Sequence, residues 1–438
     1  MTAMQMATAA PQDQRTSAPS VGPMALGCIA DDFTGATDLA NNLVRSGFRV
    51  IQINGLPTAP LTSPADAVVI ALKSRTIPAQ EAVAQSCAAL EWLRAAGAQQ
   101  IYFKYCSTFD STPAGNIGPV AEALMAALKT DFTIATPAFP DNGRTVFKGH
   151  LFVGDQLLHE SGMAHHPLTP MTDSNLVRVL QSQCQGRVGL IDHRTVAAGA
   201  EAIEHRMQAL RKEGIRLALV DAVSNEDLIR LGPALKGLPL ITAGSGVAIG
   251  LAQNHALAHA DQAANLPPAQ GRAVVLSGSC SVASNQQVAH FQSTGQPALA
   301  IDVPRALAGA PVAHEALAWA KDALATTRGP ILIYSTSSPD AVKAHQSQSG
   351  AMAVGEALEG LMATIAAGLP ALGVGQLVVA GGETAGACVQ ALGLHQLQIG
   401  PQIDPGVPWC HANGLHIALK SGNFGSTDFF TKAFAQLA

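Results

Sequence analysis

Charge is scarce in this chain. Across 438 residues, Asp, Glu, Lys and Arg together reach only 13%, about half the roughly 25% of an average soluble protein. That composition excludes a disordered, charge-rich protein. Basic residues number 26 and acidic residues 31, a net charge of −5. A duplex nucleic-acid binder needs a basic face to displace counterions, so that partner class is not expected. A local basic pocket for a small anion stays allowed. Aromatic residues are also few, at 4%.

Long apolar runs are missing as well. No stretch of about 18 uninterrupted apolar residues occurs, so no membrane span or membrane partner is expected. The seven cysteines, at 28, 87, 106, 184, 280, 388 and 410, form no CxxC pair. Odd number and irregular spacing argue against a disulfide framework and a zinc site, and reduced thiols fit a cytoplasmic protein. No Walker A loop, GxxxxGK[ST], is present. No G-x-S-x-G elbow is present either, which weakens a serine hydrolase.

What the chain has is apolar residue, 48% of the total, arranged with a rhythm. Residues 1–22 are rich in Ala, Gln, Ser and Thr, lack a secretory signal pattern, and read as a disordered leader. Beyond them, short apolar strands alternate with Ala-rich helices: 25–30 then 36–46, 67–72 then 79–96, 101–105 then 117–128. The alternation resumes through 187–191, 217–220, 238–242, 273–276, 331–334, 377–380 and 415–419. Such alternation means mainly parallel sheets covered on both faces. Residues 255–271 end in Pro267-Pro268 and read as a linker. The expected fold is therefore α/β, with two α/β domains at 23–255 and 270–438 and an active-site cleft between them. In open α/β sheets, ligands sit beyond the carboxyl ends of strands, so residues just after each strand are the informative ones.

In the N-terminal half, the first strand runs into Asp31-Asp32-Phe33-Thr34-Gly35-Ala36-Thr37-Asp38, with a helix starting near Gly35 or Ala36. Adjacent carboxylates repel, so at least one needs a partner. One could cap the helix; the other could accept a substrate hydroxyl or its proton. The second strand presents Arg75 after Lys73-Ser74, a candidate for bidentate carboxylate contact. The third ends in Lys104-Tyr105-Cys106-Ser107-Thr108-Phe109-Asp110. Lys104 lies inside an apolar run, and a buried lysine needs an anionic partner. Rigid turns around Pro137, Pro140 and Asn142-Gly143 present Asn142 and Arg144 to the same crevice. His165-His166 read as a polar loop, and no metal-ligand set is assigned.

Three strands in the C-terminal half run into small-residue turns and then helices: Ser277-Gly278-Ser279, Gly381-Gly382-Glu383-Thr384, and Lys420-Ser421-Gly422-Asn423-Phe424-Gly425. Glycine lets a backbone approach a phosphate closely, and helix N-termini supply free N–H donors. Three such turns in one domain point to a nucleotide. A further turn, Ala243 to Gly250, only partly resembles a dinucleotide fingerprint and reads as a helix entry near the cleft.

Together these strings resemble the four-carbon acid sugar kinase family. The resemblance rests on Asp31-Asp32-Phe33-Thr34-Gly35, Ser74-Arg75-Thr76, the 104–112 run, Gly381-Gly382-Glu383-Thr384 and Ser421-Gly422-Asn423-Phe424-Gly425. Gly115-Asn116-Ile117-Gly118 and the 165–175 stretch add a subgroup signal. It implies a kinase that transfers phosphate from ATP, with Mg2+ expected, to the 4-hydroxyl of a four-carbon acid. 3-Oxo-tetronate is the implied substrate, with threonate, erythronate or a non-catalytic acid-sugar-binding role as alternatives. The implied nucleotide contacts are Ser277, Gly381 to Thr384, and Gly422 or Gly425. On the acid side, Asp32 is expected as the base beside Asp31, and Arg75 and Lys104 as holding the carboxylate, with Arg144 a candidate to join them. Ser107, Asp110 and Asn142 complete the expected substrate pocket. The low charge also suggests a homodimer.

Overall fold

In a computed structural model, the described residues are 24–61, 63–165, 169–257, 260–336 and 351–437. The expected leader and His166 therefore lie outside them.

The N-terminal half supplies β1 (Leu26–Ala30), β2 (Val50–Asn54), β3 (Ala67–Ala71), β4 (Gln100–Lys104) and β5 (Thr133–Thr136). A small antiparallel sheet follows, of β6 (Arg144–Phe147), β7 (His150–Val153) and β8 (Gln156–Leu157). Then come β9 (Arg187–Ile191), β10 (Ile215–Val220) and β11 (Leu240–Ala243). The C-terminal half supplies β12 (Arg272–Ser277), β13 (Ala298–Ala300), β14 (Ile331–Tyr334), β15 (Val374–Ala380), β16 (Gln396–Asp404), β17 (Val407–Ala412) and β18 (Leu415–Lys420).

Alternating strands and helices do give two parallel arrays. One has the order β2-β3-β1-β4-β11-β5-β10-β9, the other β13-β14-β12-β15-β18. Two separate sheets are not what forms, however. The antiparallel strands β16 and β17 lie between the arrays and join them into one 15-stranded sheet. The register of β16 against β17 shifts twice, between Ile399 and Gln402 and between Gln402 and Asp404. Such irregularities bend a strand and raise its local twist. The sequence reading missed this junction because a hairpin ribbon carries no helix between its strands.

The central strands β1, β3 and β4 are buried along their full length, which is why they read as continuous apolar runs. Each array has one point where consecutive connections depart in opposite directions. In the first it falls between β1 and β4, in the second between β12 and β15. These are the crevices where an open sheet binds ligands. Among the described residues, no helix is long and apolar enough to cross a membrane.

Candidate active site between the two halves

The helix after β1 begins earlier than the sequence suggests. It spans Phe33–Arg45, and Asp32 is its N-cap, accepting from the Gly35 amide at 3.0 Å. The capping and functional readings of the Asp pair therefore meet in one residue. Phe33 to Val44 are all buried, because the helix packs between β2, β3, β16, β17 and the helix Gly382–Ala391.

Arg75 binds the Asp pair. Its Nε and one terminal nitrogen donate to the two oxygens of Asp31 at 2.9 and 2.8 Å, and the same terminal nitrogen reaches Asp32 Oδ1 at 2.6 Å. The other terminal nitrogen lies 3.8 Å from Asp110. Arg75 was expected to clamp a substrate carboxylate, but its fork is already spent on the protein's own carboxylates. Burial works against ionisation of Asp32. The charges of Arg75 and Lys104, with hydrogen bonds from Thr34 and Gly35, outweigh it and hold the carboxyl below its usual range. For Asp31, burial outweighs Arg75 and pushes the carboxyl up.

Lys104 and Arg144 stand differently. Lys104 is 2% exposed and makes no ion pair or hydrogen bond with another described side chain. Arg144 donates to the Asn142 carbonyl, its Nε has no partner among the described residues, and burial pulls its guanidinium down. Both line one cavity of about 350 Å³ with Asp31, Asp32, Arg75, Ser107 and Asp110. Asn142 is not among the lining residues; it contributes the carbonyl that holds Arg144.

A residue with no role in the sequence reading also lines this cavity: Asp38, one and a half turns into the helix. It is 3% exposed, and its Oδ1 has no partner among the described residues. Burial raises its carboxyl to about 6, against the opposing pull of Lys104 and Ser245. The signal was a lone acid in the apolar helical run Ala36-Thr37-Asp38-Leu39-Ala40. The Ala243 to Gly250 turn finds its use here, since its Ser245 hydroxyl donates to Asp38.

The C-terminal half closes the same cavity with Gly382, Glu383, Ser421, Asn423 and Phe424. Glu383 also lines an adjoining, more apolar cavity of about 390 Å³, walled by Gly278, Ile301, Val303, Pro304, Tyr334, Val354 and Thr384. The two switch-point crevices are thus contiguous. Lys73 crosses between the halves and binds Glu383 at 2.7 Å. Gly381 has φ +121° and Gly425 φ +85°, backbone states that favour glycine. A Cβ on Gly422 would fall 2.5 Å from Ser279 Oγ. Ser277 is fully buried, with its hydroxyl 2.7 Å from that of Thr336. Its side chain therefore supports the first turn from beneath rather than lining either cavity.

A separate hollow of about 720 Å³ shares no residue with these turns. Its arginine, Arg49, is tied to Asp66 at 2.9 and 2.8 Å. Its volume alone does not make it the reactive site.

Comparison with known proteins agrees with the division of labour in the cleft. Residues 26–251 match the family model of a sugar-binding N-terminal domain, and residues 274–430 that of a nucleotide-binding C-terminal domain. A protein of Cupriavidus necator named 3-oxo-tetronate kinase is 60% identical, over 94% of this chain and 97% of its own. Another so named, from Burkholderia multivorans, is 58% identical over the same shares. A crystal structure of a Salmonella typhimurium protein described as a tRNA synthase superposes with TM-score 0.84 at 47% identity, covering 94% of this chain and 99% of that one. A Haemophilus influenzae structure gives TM-score 0.76 at 45% identity, covering 94% and 100%. With both halves matched and full-length relatives this similar, the chain belongs to the four-carbon acid sugar kinase family.

Proposed function

We propose that this protein is an ATP-dependent kinase that phosphorylates the 4-hydroxyl of 3-oxo-tetronate, giving the 4-phosphate and ADP. One observation carries the reading. Two cations without a carboxylate partner among the described residues, the buried Lys104 and the half-buried Arg144, share a cavity with the Ser421 to Phe424 turn of the other half. A cavity of about 350 Å³ suits a four-carbon acid, and the two cations suit its carboxylate. The adjoining apolar cavity suits the adenosine part of ATP.

Phosphoryl transfer depends mostly on positioning and electrostatics. Lys104 and Arg144 would hold the acid, so that its far end, the 4-hydroxyl, points toward the glycine turns. Asp32, kept ionised by Arg75 and Thr34, would orient that hydroxyl and take its proton as the new P–O bond forms. A weak base suffices, because in a loose transition state the hydroxyl becomes acidic only as bonding advances. Asp31 has both oxygens on Arg75 and would position that arginine rather than touch the acid.

Mg2+ is expected to enter with ATP, held by its phosphates and water. Among the described residues, no group of three or more His, Cys, Asp or Glu side chains is arranged to hold an ion by itself, so no step is assigned to a metal fixed by the protein. The reading places the enzyme in the cytoplasm, where ATP is supplied. Homodimerisation rests only on the low surface charge and is checked by light scattering.

The test is an ADP-release assay with purified protein, ATP, Mg2+ and a panel of four-carbon acids. ADP release with 3-oxo-tetronate well above that with threonate or erythronate is expected. Binding of an acid with no ADP release from any would leave a binding protein and overturn the kinase reading.

A further inference from the structure

The last glycine turn is held from beneath in an unusual way. Lys420, at the end of β18, is fully buried, yet among the described residues no carboxylate meets it. Its ammonium donates to the carbonyls of Ser421 at 2.9 Å, Gly422 at 3.0 Å and Phe424 at 3.1 Å, and to Ser284 Oγ at 3.3 Å. Beside it the buried Gln287 donates its Nε2 to the carbonyls of Phe424, Gly425 and Ser426 at 3.1, 3.0 and 3.0 Å. The Ser281 and Ser284 hydroxyls both donate to Gly422 O, at 2.5 and 3.0 Å.

Lys420 and Gln287 divide these carbonyls between them and share that of Phe424. A trans peptide is planar, so its N–H points opposite to its C=O. Holding the carbonyls of Ser421, Gly422 and Phe424 inward turns the amides of Gly422, Asn423 and Gly425 the other way. Those three amides make no hydrogen bond with any described residue, whereas the next one, of Ser426, binds Asp404 at 2.9 Å. Ser421, Asn423 and Phe424 line the cavity shared with the acid-sugar residues. The amide of Phe424 is spent on the Ser421 carbonyl at 3.1 Å, but those of Gly422 and Asn423 are successive, and successive free amides form an anion-binding nest.

We propose that Lys420 is a positioning residue for nucleotide: it pins the carbonyls of the last turn inward, so that the amides of Gly422, Asn423 and Gly425 face a phosphate group, and its unpaired charge is balanced by that phosphate. The proposal rests on the kinase reading for the identity of the anion. It departs from a P-loop lysine, which touches phosphate directly; Lys420 acts through the backbone.

The charge has a measurable consequence. Burial alone pulls the Lys420 ammonium down to about 7. The groups facing it are the Ser284 hydroxyl and the turn carbonyls. The ionised groups on this turn, Asp404, Asp428 and Lys432, gather instead on Ser426 at its far end. An arriving phosphate favours the charged lysine, so nucleotide binding draws in a proton.

The experiment is calorimetric titration of the full-length protein with ADP and Mg2+ at pH 8, in HEPES and in Tris. At that pH the nucleotide's own phosphates are ionised. Wild type should take up a measurable fraction of a proton on binding. Lys420→Met should raise KM for ATP by about 10-fold or more while leaving KM for the acid within twofold. Gln287→Leu, which removes three bonds to carbonyls of the same turn, one of them shared with Lys420, without touching charge, should raise KM for ATP while retaining the proton uptake. Tight ADP binding by wild type without proton uptake, or an unchanged KM for ATP in a folded Lys420→Met, overturns the proposal. Absence of any adenine-nucleotide binding by wild type would instead overturn the kinase reading on which it rests.

Discussion

Ser245 donates a 2.5 Å hydrogen bond to Asp38 Oδ2, while Oδ1 of the same carboxyl accepts none. The pair ties the first helix to the turn after β11, at the wall of the acid-sugar cavity. It also leaves a half-satisfied acid in the core. With its carboxyl pushed up to about 6 from 3.8, the folded chain holds this proton more tightly than the unfolded chain. The contribution of Asp38 to stability is complete below about pH 3.8 and is lost as pH rises through 6. Asn is neutral throughout and loses nothing. Asp38→Asn should therefore be more stable than wild type at pH 7.5, by at most about 3 kcal/mol, and the gap should narrow at pH 4.5. Denaturant melts of both proteins at the two pH values check this. A variant less stable than wild type at pH 7.5 would mean that Lys104 depends on the Asp38 charge more than burial penalises it.

Asp32 makes a contrasting case. Its carboxyl is held ionised, and it caps a buried helix. Asp32→Asn keeps an N-cap acceptor, since Asn caps about as well as Asp, so the fold should survive. The lost proton acceptor should lower kcat by about 100-fold or more, with ADP affinity within about twofold of wild type. Steady-state kinetics and ADP titration separate the two effects. Normal turnover would remove Asp32 from the chemistry.

The cations divide by partner. Lys104→Met and Arg144→Met should each raise KM for the acid by about 10-fold or more with little change in KM for ATP, because neither is spent on a protein carboxylate. Arg75→Ala should behave differently from a simple substrate clamp. It strands the buried carboxylate of Asp31, which costs about 3–5 kcal/mol, so loss of melting temperature should accompany any kinetic defect. Arg75→Lys should restore little, since one ammonium cannot reproduce the bidentate fork on Asp31. A stable Arg75→Ala with only a raised KM for the acid would return Arg75 to the role of substrate clamp.

The turns were legible in the sequence because each follows a short apolar strand, and strand ends are where an open sheet places its ligands. Asp31, Asp32, Lys104 and the Gly382 and Ser421 turns therefore reach the cleft as their positions suggest. Partner choice was not legible. Nothing in the string Ser74-Arg75-Thr76 says that its arginine folds back onto Asp31 across 44 positions. The inward turn of Lys420 was equally hidden, since a lysine before a glycine turn reads as a phosphate contact until its four oxygen acceptors are seen. The joining of the two halves was missed because β2 and β16 pair antiparallel across the whole chain, and no local pattern encodes such a contact.

Gly35 shows how tightly the acid end of the cleft is packed. It lies in the first turn of the helix after β1, where glycine is a poor helix former and alanine would ordinarily stabilise by up to about 1 kcal/mol. Here the sign should reverse. An added Cβ would sit 2.1 Å from Asp32 Oδ1 and 2.3 Å from Lys104 Nζ. Both groups would have to move, and both stand in the proposed reaction. Gly35→Ala should lower kcat/KM for the acid by about 100-fold or more, as expected when reacting groups shift by an ångström, and destabilise the fold by about 1–3 kcal/mol. ADP affinity should stay near wild type, since the clash lies in the N-terminal half. Kinetics, ADP titration and a thermal melt on one preparation read all three effects. An active, stabilised variant would show that Asp32 and Lys104 need not be held where they stand.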